Sequence, residues 1–178
     1  MTFEEFIKNI TILNAKEGLI PLEPNIFQQR FIESIDSQSY VNLGSERQSG
    51  KTTISLTYCL YRALKNPNSS ISIMSFNLLR SKEMIRALRD IITRSDLDEF
   101  KINLSHSTLT LSNGSVIRSL AANENNIRGI NHDVIYCDEI HYFKCDVNKL
   151  MASIRPLLQK GCKLIVTGNV CFDEFVVS

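Results

Sequence analysis

Residues 41–53 decide the fold of this chain, and they read Val41-Asn42-Leu43-Gly44-Ser45-Glu46-Arg47-Gln48-Ser49-Gly50-Lys51-Thr52-Thr53. A short apolar run leads into a loop of small and polar residues, and an amphipathic run with helical spacing follows the loop. This order predicts a strand, a phosphate-binding loop and a helix.

The loop has the chemistry that a phosphate site needs. Backbone N–H groups at a helix N-terminus form a concave donor site, and the helix dipole reinforces it. Gly50 allows close approach, Lys51 can bridge the β- and γ-phosphates, and the Thr52 hydroxyl can ligate Mg²⁺. Ser45 stands where the usual first glycine would be. The alternative is an ordinary loop, because Gly-Lys-Thr also occurs by chance. We expect the whole loop to bind the nucleotide: Ser45, Glu46, Arg47, Gln48, Ser49, Gly50, Lys51, Thr52 and Thr53.

Composition limits the class of protein. At 178 residues the chain suits one sizeable domain, and 43% of its residues are hydrophobic. The net charge of +1 means that any nucleic-acid contact must come from a local patch. The five cysteines contain no Cys-x-x-Cys pair, which argues against a zinc site and a secreted disulfide framework. We therefore expect reduced thiols in a cytosolic protein, and no stretch approaches the length of a membrane span.

Two helices are predicted before the loop. The first runs from Thr2 to about Ile12 with Thr2 and Glu5 in capping-box spacing, and a connector follows over residues 14–24. The second runs from Asn25 to Ile35. Gln28 has two interpretations there: it hydrogen-bonds an adenine edge, or it only completes a capping box with Asn25.

The middle of the chain continues the alternation of strands and helices. Residues 71–76 predict a strand, and residues 78–92 predict a helix whose basic face is either solvated or in contact with DNA. Residues 108–112 and 115–119 predict a hairpin closed by a two-residue Asn113-Gly114 turn. A polar loop over residues 123–131 contains Arg128.

A second motif follows at residues 134–139, Val-Ile-Tyr-Cys-Asp-Glu. A continuous apolar run that ends in carboxylates is typical of a buried parallel strand whose end faces a ligand crevice. Asp138 would then hold Mg²⁺ and Glu139 would orient and deprotonate the attacking water. The alternative is a surface turn at a strand end.

A third motif is the polar triplet Thr167-Gly168-Asn169. A helix over residues 146–160 with Gly161 as a stop signal precedes it, and a strand over residues 163–166 leads into it. The triplet either contacts the γ-phosphate and reports its loss or is a turn chosen for tightness.

Together these residues resemble the ATPase domain of the large terminase subunit, the DNA-packaging motor of tailed bacteriophages. The resemblance covers about residues 22–170. It depends most on four elements: Arg47-Gln48-x-Gly50-Lys51-Thr52 without the first glycine, Phe27-Gln28, Arg128-Gly129 and Thr167-Gly168-Asn169.

The resemblance implies a fold and a function. We expect a three-layer α/β/α P-loop NTPase with a catalytic glutamate (ASCE type), a mostly parallel central sheet and a β-hairpin insertion. The implied activity is ATP hydrolysis with Mg²⁺ that moves double-stranded DNA into a procapsid. The implied partners are DNA, the portal protein, the small terminase subunit and further copies in a ring, in the cytoplasm of a bacterial host and without a membrane.

The resemblance also implies residue roles. Lys51 and Thr52 bind phosphate and Mg²⁺, Asp138 binds Mg²⁺, Glu139 is the catalytic carboxylate, and Arg47 is the arginine within the phosphate loop. Arg128 is the finger that a neighbouring subunit inserts to neutralise charge on the γ-phosphate. The alternative for Arg128 is a turn arginine that pairs with a nearby acid.

The domain boundary and two rival functions complete the predictions. Family members continue into more of the ATPase domain and a nuclease, so we expect residues 1–178 to be a P-loop ATPase domain that is incomplete at its C-terminus and carries no nuclease. One rival is the first motor domain of a helicase, because Asp138-Glu139-Ile140-His141 also fits a DExH box. The other rival is a nucleotide-binding module without catalysis.

Overall fold

The computed structural model describes residues 1–14, 16–44, 49–97, 102–105 and 107–168. These residues form five α-helices and nine strands. The helices are α1 (Phe3–Ile7), α2 (Ile26–Ile35), α3 (Lys51–Lys65), α4 (Leu78–Arg94) and α5 (Val147–Leu158). The strands are β1 (Thr11–Asn14), β2 (Gly18–Pro21), β3 (Tyr40–Leu43), β4 (Ser70–Ser75), β5 (Ile102–Leu104), β6 (Thr108–Leu111), β7 (Val116–Ala121), β8 (Val134–Asp138) and β9 (Lys163–Thr167). Two short 3-10 turns lie at Glu124–Asn126 and Ile140–Tyr142.

A seven-stranded sheet in the order β3-β9-β8-β4-β7-β6-β5 forms the centre of the domain. Its first five strands are parallel, and β6 and β5 are antiparallel at one edge. A second sheet contains only β1 and β2. The mostly parallel sheet that the sequence predicts is therefore confirmed.

Helices cover both faces of the sheet, and β8 shows why. Its five residues are all buried, as the continuous apolar run predicts for a central strand. Val134 and Tyr136 join the core under α3 and α4. Ile135 and Cys137 join the core under α5. Because successive side chains of a strand point to opposite faces, one strand contributes to both cores and the domain has three layers.

The N-terminal predictions need two corrections. Helix α1 ends at Ile7, although its Thr2–Glu5 capping box is present as predicted. The β1–β2 hairpin, with Ile12 opposite Ile20, begins within the predicted helix and continues into the predicted connector. The β-branched residues after Ile10 pair across this hairpin instead of extending the helix, and Gly18 supplies a positive φ of 79° at the start of β2.

The predicted β6–β7 hairpin is present, but its turn is longer than predicted. Thr110 lies opposite Val116, and the Leu111 N–H donates to the Ser115 carbonyl, so three residues form the loop. Gly114 alone adopts a positive φ, 84°, as in a type I turn followed by a bulge. Asn113 instead donates to the Ala63 carbonyl at the end of α3, over 2.8 Å. The second arm, β7, is also a parallel strand of the main sheet, so only β5 and β6 are added at the edge.

The other helices and strands that the sequence predicts agree with the structure to within about two residues. Asn25 caps α2 and Asp146 caps α5. Gly161 follows α5 with a φ of 93°. Within the described residues, no helix is long and apolar enough to cross a membrane. The four described cysteines are free thiols.

Candidate nucleotide-binding site

The predicted motifs meet at one edge of the sheet. Strands β3, β9, β8 and β4 are parallel neighbours, so their carboxyl ends lie side by side. The register pairs Leu43 with Thr167 and Ser75 with Asp138. The phosphate loop, the acidic pair and the start of the Thr167 triplet therefore leave the sheet at the same edge.

The described end of the phosphate loop is attached to the start of α2. Gly50 precedes α3 with a left-handed φ of 76°, and a Cβ atom there would lie 2.5 Å from the Gln28 Nε2. The Gln28 amide donates to the Gly50 carbonyl over 3.1 Å, and the Asn25 amide donates to the Ser49 carbonyl over 3.0 Å. A glycine is needed here for both its backbone angle and its size.

Gln28 also completes the capping box of α2, because its Oε1 accepts from the Asn25 N–H over 3.0 Å. The capping interpretation is thus confirmed, and a contact with adenine stays a prediction. A cavity of about 590 Å³ opens beside this residue. Its lining includes Gly50, Thr53, Ile20 and Gln28.

Asp138 joins the two main motifs. Its carboxylate is fully buried, and its Oδ1 accepts three hydrogen bonds. The donors are the hydroxyls of Thr52 at 3.2 Å, Tyr136 at 2.6 Å and Thr167 at 3.1 Å. Thr52 stands 86 residues away in sequence, so tertiary structure creates the contact. Lys51, the neighbour of Thr52, is buried at the first position of α3.

Tyr136 is a donor that sequence analysis did not assign to the site. Burial, and then the charge of Asp138, raise the pKa of the Tyr136 hydroxyl well above its ordinary value. The hydroxyl therefore keeps its proton and donates to the carboxylate. Alternation along β8 was the available signal, because residues two apart in a strand share a face.

Arg80 is the second residue that sequence analysis did not assign to the site. It was predicted only as part of the basic face of α4. Its Nε lies 3.8 Å from Asp138 Oδ2, and its NH1 lies 3.4 Å from Glu83 Oε2. Asp138 Oδ2 is buried and, within the described part of the chain, has no hydrogen-bond partner. Arg80 therefore brings a positive charge close to that oxygen.

Asp138 and Thr52 fit a Mg²⁺ ion that also binds phosphate oxygens and water. Mg²⁺ usually takes one or two carboxylates and completes its shell in that way. A buried carboxylate oxygen without a hydrogen bond, close to a threonine hydroxyl, provides suitable ligands. Within the described ranges, no group of three or more His, Cys, Asp or Glu side chains could hold a metal by itself.

Glu139 follows in an unusual backbone conformation. Its φ of 54° lies in the left-handed region, which a non-glycine residue seldom occupies. Its N–H donates to the Thr167 hydroxyl over 3.1 Å. Its Oε2 lies 3.4 Å from the His141 Nε2. The bend turns the chain away from the direction of β8 directly after Asp138.

Arg128 lies apart from these contacts, on an exposed turn after the Glu124–Asn126 segment. Within the described residues no acid forms an ion pair with it, and both interpretations of Arg128 stay predictions. The turn is anchored by Ile127, whose carbonyl accepts from the buried His132 Nε2 over 3.1 Å. Since a carbonyl only accepts, the His132 Nδ1 accepts from the Ser72 hydroxyl at 2.9 Å. Burial lowers the pKa of His132 and favours this neutral form.

Five predicted site residues lie outside the described residues: Ser45, Glu46, Arg47, Gln48 and Asn169. Their roles stay predictions.

A protein-family model for the N-terminal part of terminase large subunits of the T4likevirus type matches residues 42–161. This chain belongs to the terminase large subunit family. The match spans the described part of the phosphate loop, the acidic strand and the Arg128 turn. It confirms the resemblance predicted from the motifs.

Solved structures show that the fold of this terminase chain is shared. The HK97 bacteriophage large terminase superposes with a TM-score of 0.75 at 18% identity, over 94% of this chain and 38% of that one. The large terminase ATPase domain of Thermus phage P74-26 gives 0.68 at 17% identity, over 86% of this chain and 68% of that one. The P-loop α/β fold is therefore confirmed, and this chain spans less than half of the HK97 protein.

A helicase shares the fold as well. The UvsW helicase from bacteriophage T4 gives a TM-score of 0.61 at 13% identity, over 97% of this chain and 60% of that one. At that identity only the fold is comparable. The family match favours the terminase over the helicase alternative.

Proposed function

We propose that this chain binds ATP with Mg²⁺ at the carboxyl edge of its sheet and hydrolyses it. As part of a terminase, this hydrolysis would move double-stranded DNA into a procapsid. The hydrogen bond between Thr52 and Asp138 carries the proposal, because it brings the phosphate loop and the acidic strand to one point.

Each residue then has a defined task. Lys51 binds the β- and γ-phosphates, and the backbone N–H groups at the start of α3 bind phosphate oxygens. Thr52 and Asp138 hold Mg²⁺, which neutralises charge on the phosphates when bound. Glu139 orients the attacking water and accepts its proton.

The end of β9 supports coupling between hydrolysis and movement. Thr167 donates to the Asp138 carboxylate and accepts from the Glu139 N–H. A change at the γ-phosphate would therefore reach β9 through one hydroxyl. Asn169, the last residue of the triplet, would contact the γ-phosphate. Arg47 would act from the phosphate loop.

The cavity beside Gln28 suits the adenine base. Its lining combines apolar side chains of the β1–β2 hairpin, Ile12 and Ile20, with polar side chains that include Glu17, Glu23 and Gln28. Since the Gln28 amide already bonds to Gly50 and Asn25, base binding there would be sensed directly by the phosphate loop.

Nucleotide binding and phosphate release test the proposal together. We expect Lys51→Ala to weaken ATP binding, and Glu139→Gln to keep ATP affinity but lose turnover. Lys160→Ala, an exposed lysine after α5, is the matched control and should behave as wild type. If Glu139→Gln hydrolysed ATP at the wild-type rate, Glu139 would have no role in the mechanism. If Lys51→Ala bound ATP normally, the proposed function would be wrong.

Assays with DNA separate the rival functions. A packaging motor should be stimulated by portal, small terminase subunit or procapsid and should not separate strands. ATP-dependent strand displacement would favour the helicase. Tight ATP binding without hydrolysis under all these conditions would favour the binding module.

A further inference from the structure

His141 is the side chain that contacts the carboxylate of Glu139. Its Nε2 lies 3.4 Å from Glu139 Oε2, and the two side chains are 18% and 33% exposed. The partly buried location limits competition from water. The imidazole is therefore placed to act on the direction in which the carboxylate points.

The imidazole ring is itself confined. A Cβ atom on Gly168 would lie 2.9 Å from the His141 Nδ1, so a side chain at residue 168 would displace this ring. On another side the ring lies 4.0 Å from the Tyr142 ring, centroid to centroid. Tyr142 in turn forms an edge contact with Phe76 at 6.0 Å.

Glu139 is thus connected to the end of β9 at both its backbone and its side chain. Its N–H donates to the Thr167 hydroxyl, and its carboxylate contacts His141, which packs against Gly168. Thr167, the last residue of β9, therefore binds the backbone of Glu139, and the next residue, Gly168, packs against the imidazole that contacts its side chain.

We propose that His141 is a positioning residue that orients the Glu139 carboxylate toward the attacking water. The proposal rests on the ATPase function proposed above. A general base is effective only when a further group fixes its direction, and a small displacement of a reacting group can reduce a rate by about 10²-fold. The contact of His141 with Gly168 makes this orientation depend on the position of β9.

Steady-state hydrolysis by His141→Ala and His141→Gln tests this role. We expect His141→Ala to lower kcat by about 10- to 100-fold with KM and ATP affinity unchanged. His141→Gln should recover much of the rate, because its side-chain amide can also donate to a carboxylate. Lys144→Ala, an exposed residue of the same segment, is the control and should keep the wild-type rate.

A kcat of His141→Ala equal to or above that of wild type would overturn the proposal. An equal change in KM, or failure of His141→Gln to recover any rate, would also count against it. If Lys51→Ala bound ATP normally, the proposed function would fail instead, so the two failures differ.

An NMR measurement tests the contact without hydrolysis. Glu139→Gln should shift the imidazole Cε1–H resonance of His141, whereas Glu33→Gln, on the exposed surface of α2, should leave it in place. An unchanged resonance in Glu139→Gln would overturn the contact and the proposal with it.

Discussion

Asp138 shows how a single buried charge is tolerated in this domain. Burying an ionised carboxylate is costly unless hydrogen bonds and opposite charge compensate it. Three hydroxyls donate to its Oδ1, and Arg80 approaches its Oδ2. These contacts hold the carboxylate in one orientation.

The hydrogen bond from Tyr136 should contribute measurably to stability. It is short, at 2.6 Å, and its acceptor is charged. We expect Tyr136→Phe to lower the free energy of unfolding by about 1.5–3 kcal/mol, measured by urea denaturation. Tyr142→Phe, at a half-exposed tyrosine, should change it by less than about 0.5 kcal/mol. Equal stability of Tyr136→Phe and wild type would show that Thr52 and Thr167 suffice.

Residue identity alone predicted some of this site and missed the rest. Thr52, Asp138 and Glu139 belong to motifs whose order along the chain indicates their chemistry. Arg80 and His141 belong to no such motif. Arg80 was assigned to a basic helix face and His141 only to a possible DExH box, because their partners depend on how loops leave neighbouring strands.

At the scale of elements, helix α2 is fixed at both ends by other parts of the domain. Its N-terminus is bound to Gly50 through Gln28. Its C-terminus is bound by Lys163 of β9, whose ammonium group donates to the carbonyls of Ile35, Asp36 and Gln38. The Ile35 and Asp36 carbonyls lie at the end of the helix, where intrahelical donors are missing.

Lys163→Met should therefore uncap α2 while keeping much of the aliphatic chain. We expect a loss of about 1–2 kcal/mol in the free energy of unfolding, because a cation near a helix C-terminus stabilises by up to about that amount. Urea denaturation measures it, and Lys160→Met is the control at an exposed site. An unaltered midpoint for Lys163→Met would mean that water replaces the ammonium group without cost.

The ends of helices could be predicted from sequence where a single capping residue marks them. Asn25 and Asp146 cap helices as their residue types predict. The β1–β2 hairpin was missed because each of its strands is only four residues long. In so short a strand, most of the evidence comes from pairing with the other strand. Helical spacing of Phe3, Phe6, Ile7 and Ile10 continued past the true end of α1.

At the scale of the whole molecule, Arg128 should act between subunits. Its side chain is exposed, and its turn is anchored through Ile127 and His132. We expect Arg128→Ala to keep nucleotide affinity but to lose assembly-dependent hydrolysis, by about 10³-fold or more if it is a finger in trans. Phosphate release with and without portal measures this, and the exposed Arg86→Ala is the control. Unchanged activity in an assembled ring would refute the finger.

The buried thiols should make the domain sensitive to alkali. Burial raises the pKa of Cys59 from 9.0 to about 12, and that of Cys162 likewise to about 12. An unfolded thiol ionises near its ordinary pKa, so between these values the unfolded state has lost a proton that the folded state keeps. Stability is therefore complete below about pH 9 and falls as pH rises toward 12, by about 1.4 kcal/mol per pH unit for each such group.

Urea denaturation at pH 8, 9, 10 and 11 in the presence of a reducing agent measures this dependence. Cys59→Ala should have lower stability at pH 8 but a shallower decline above pH 9. A slope identical to wild type would contradict the assignment of the decline to Cys59.

Local sequence was sufficient for the strand, loop and helix order, for the acidic strand and for the family resemblance. These depend on periodicity, on capping residues and on residue types at short spacing, all of which act within a few positions. The order of the strands in the sheet, and the contacts of Asp138 with Thr52 and Arg80, required the folded chain. They join residues far apart in sequence, and such contacts form only when packing of both faces of the sheet brings the carboxyl ends of β3, β9, β8 and β4 together.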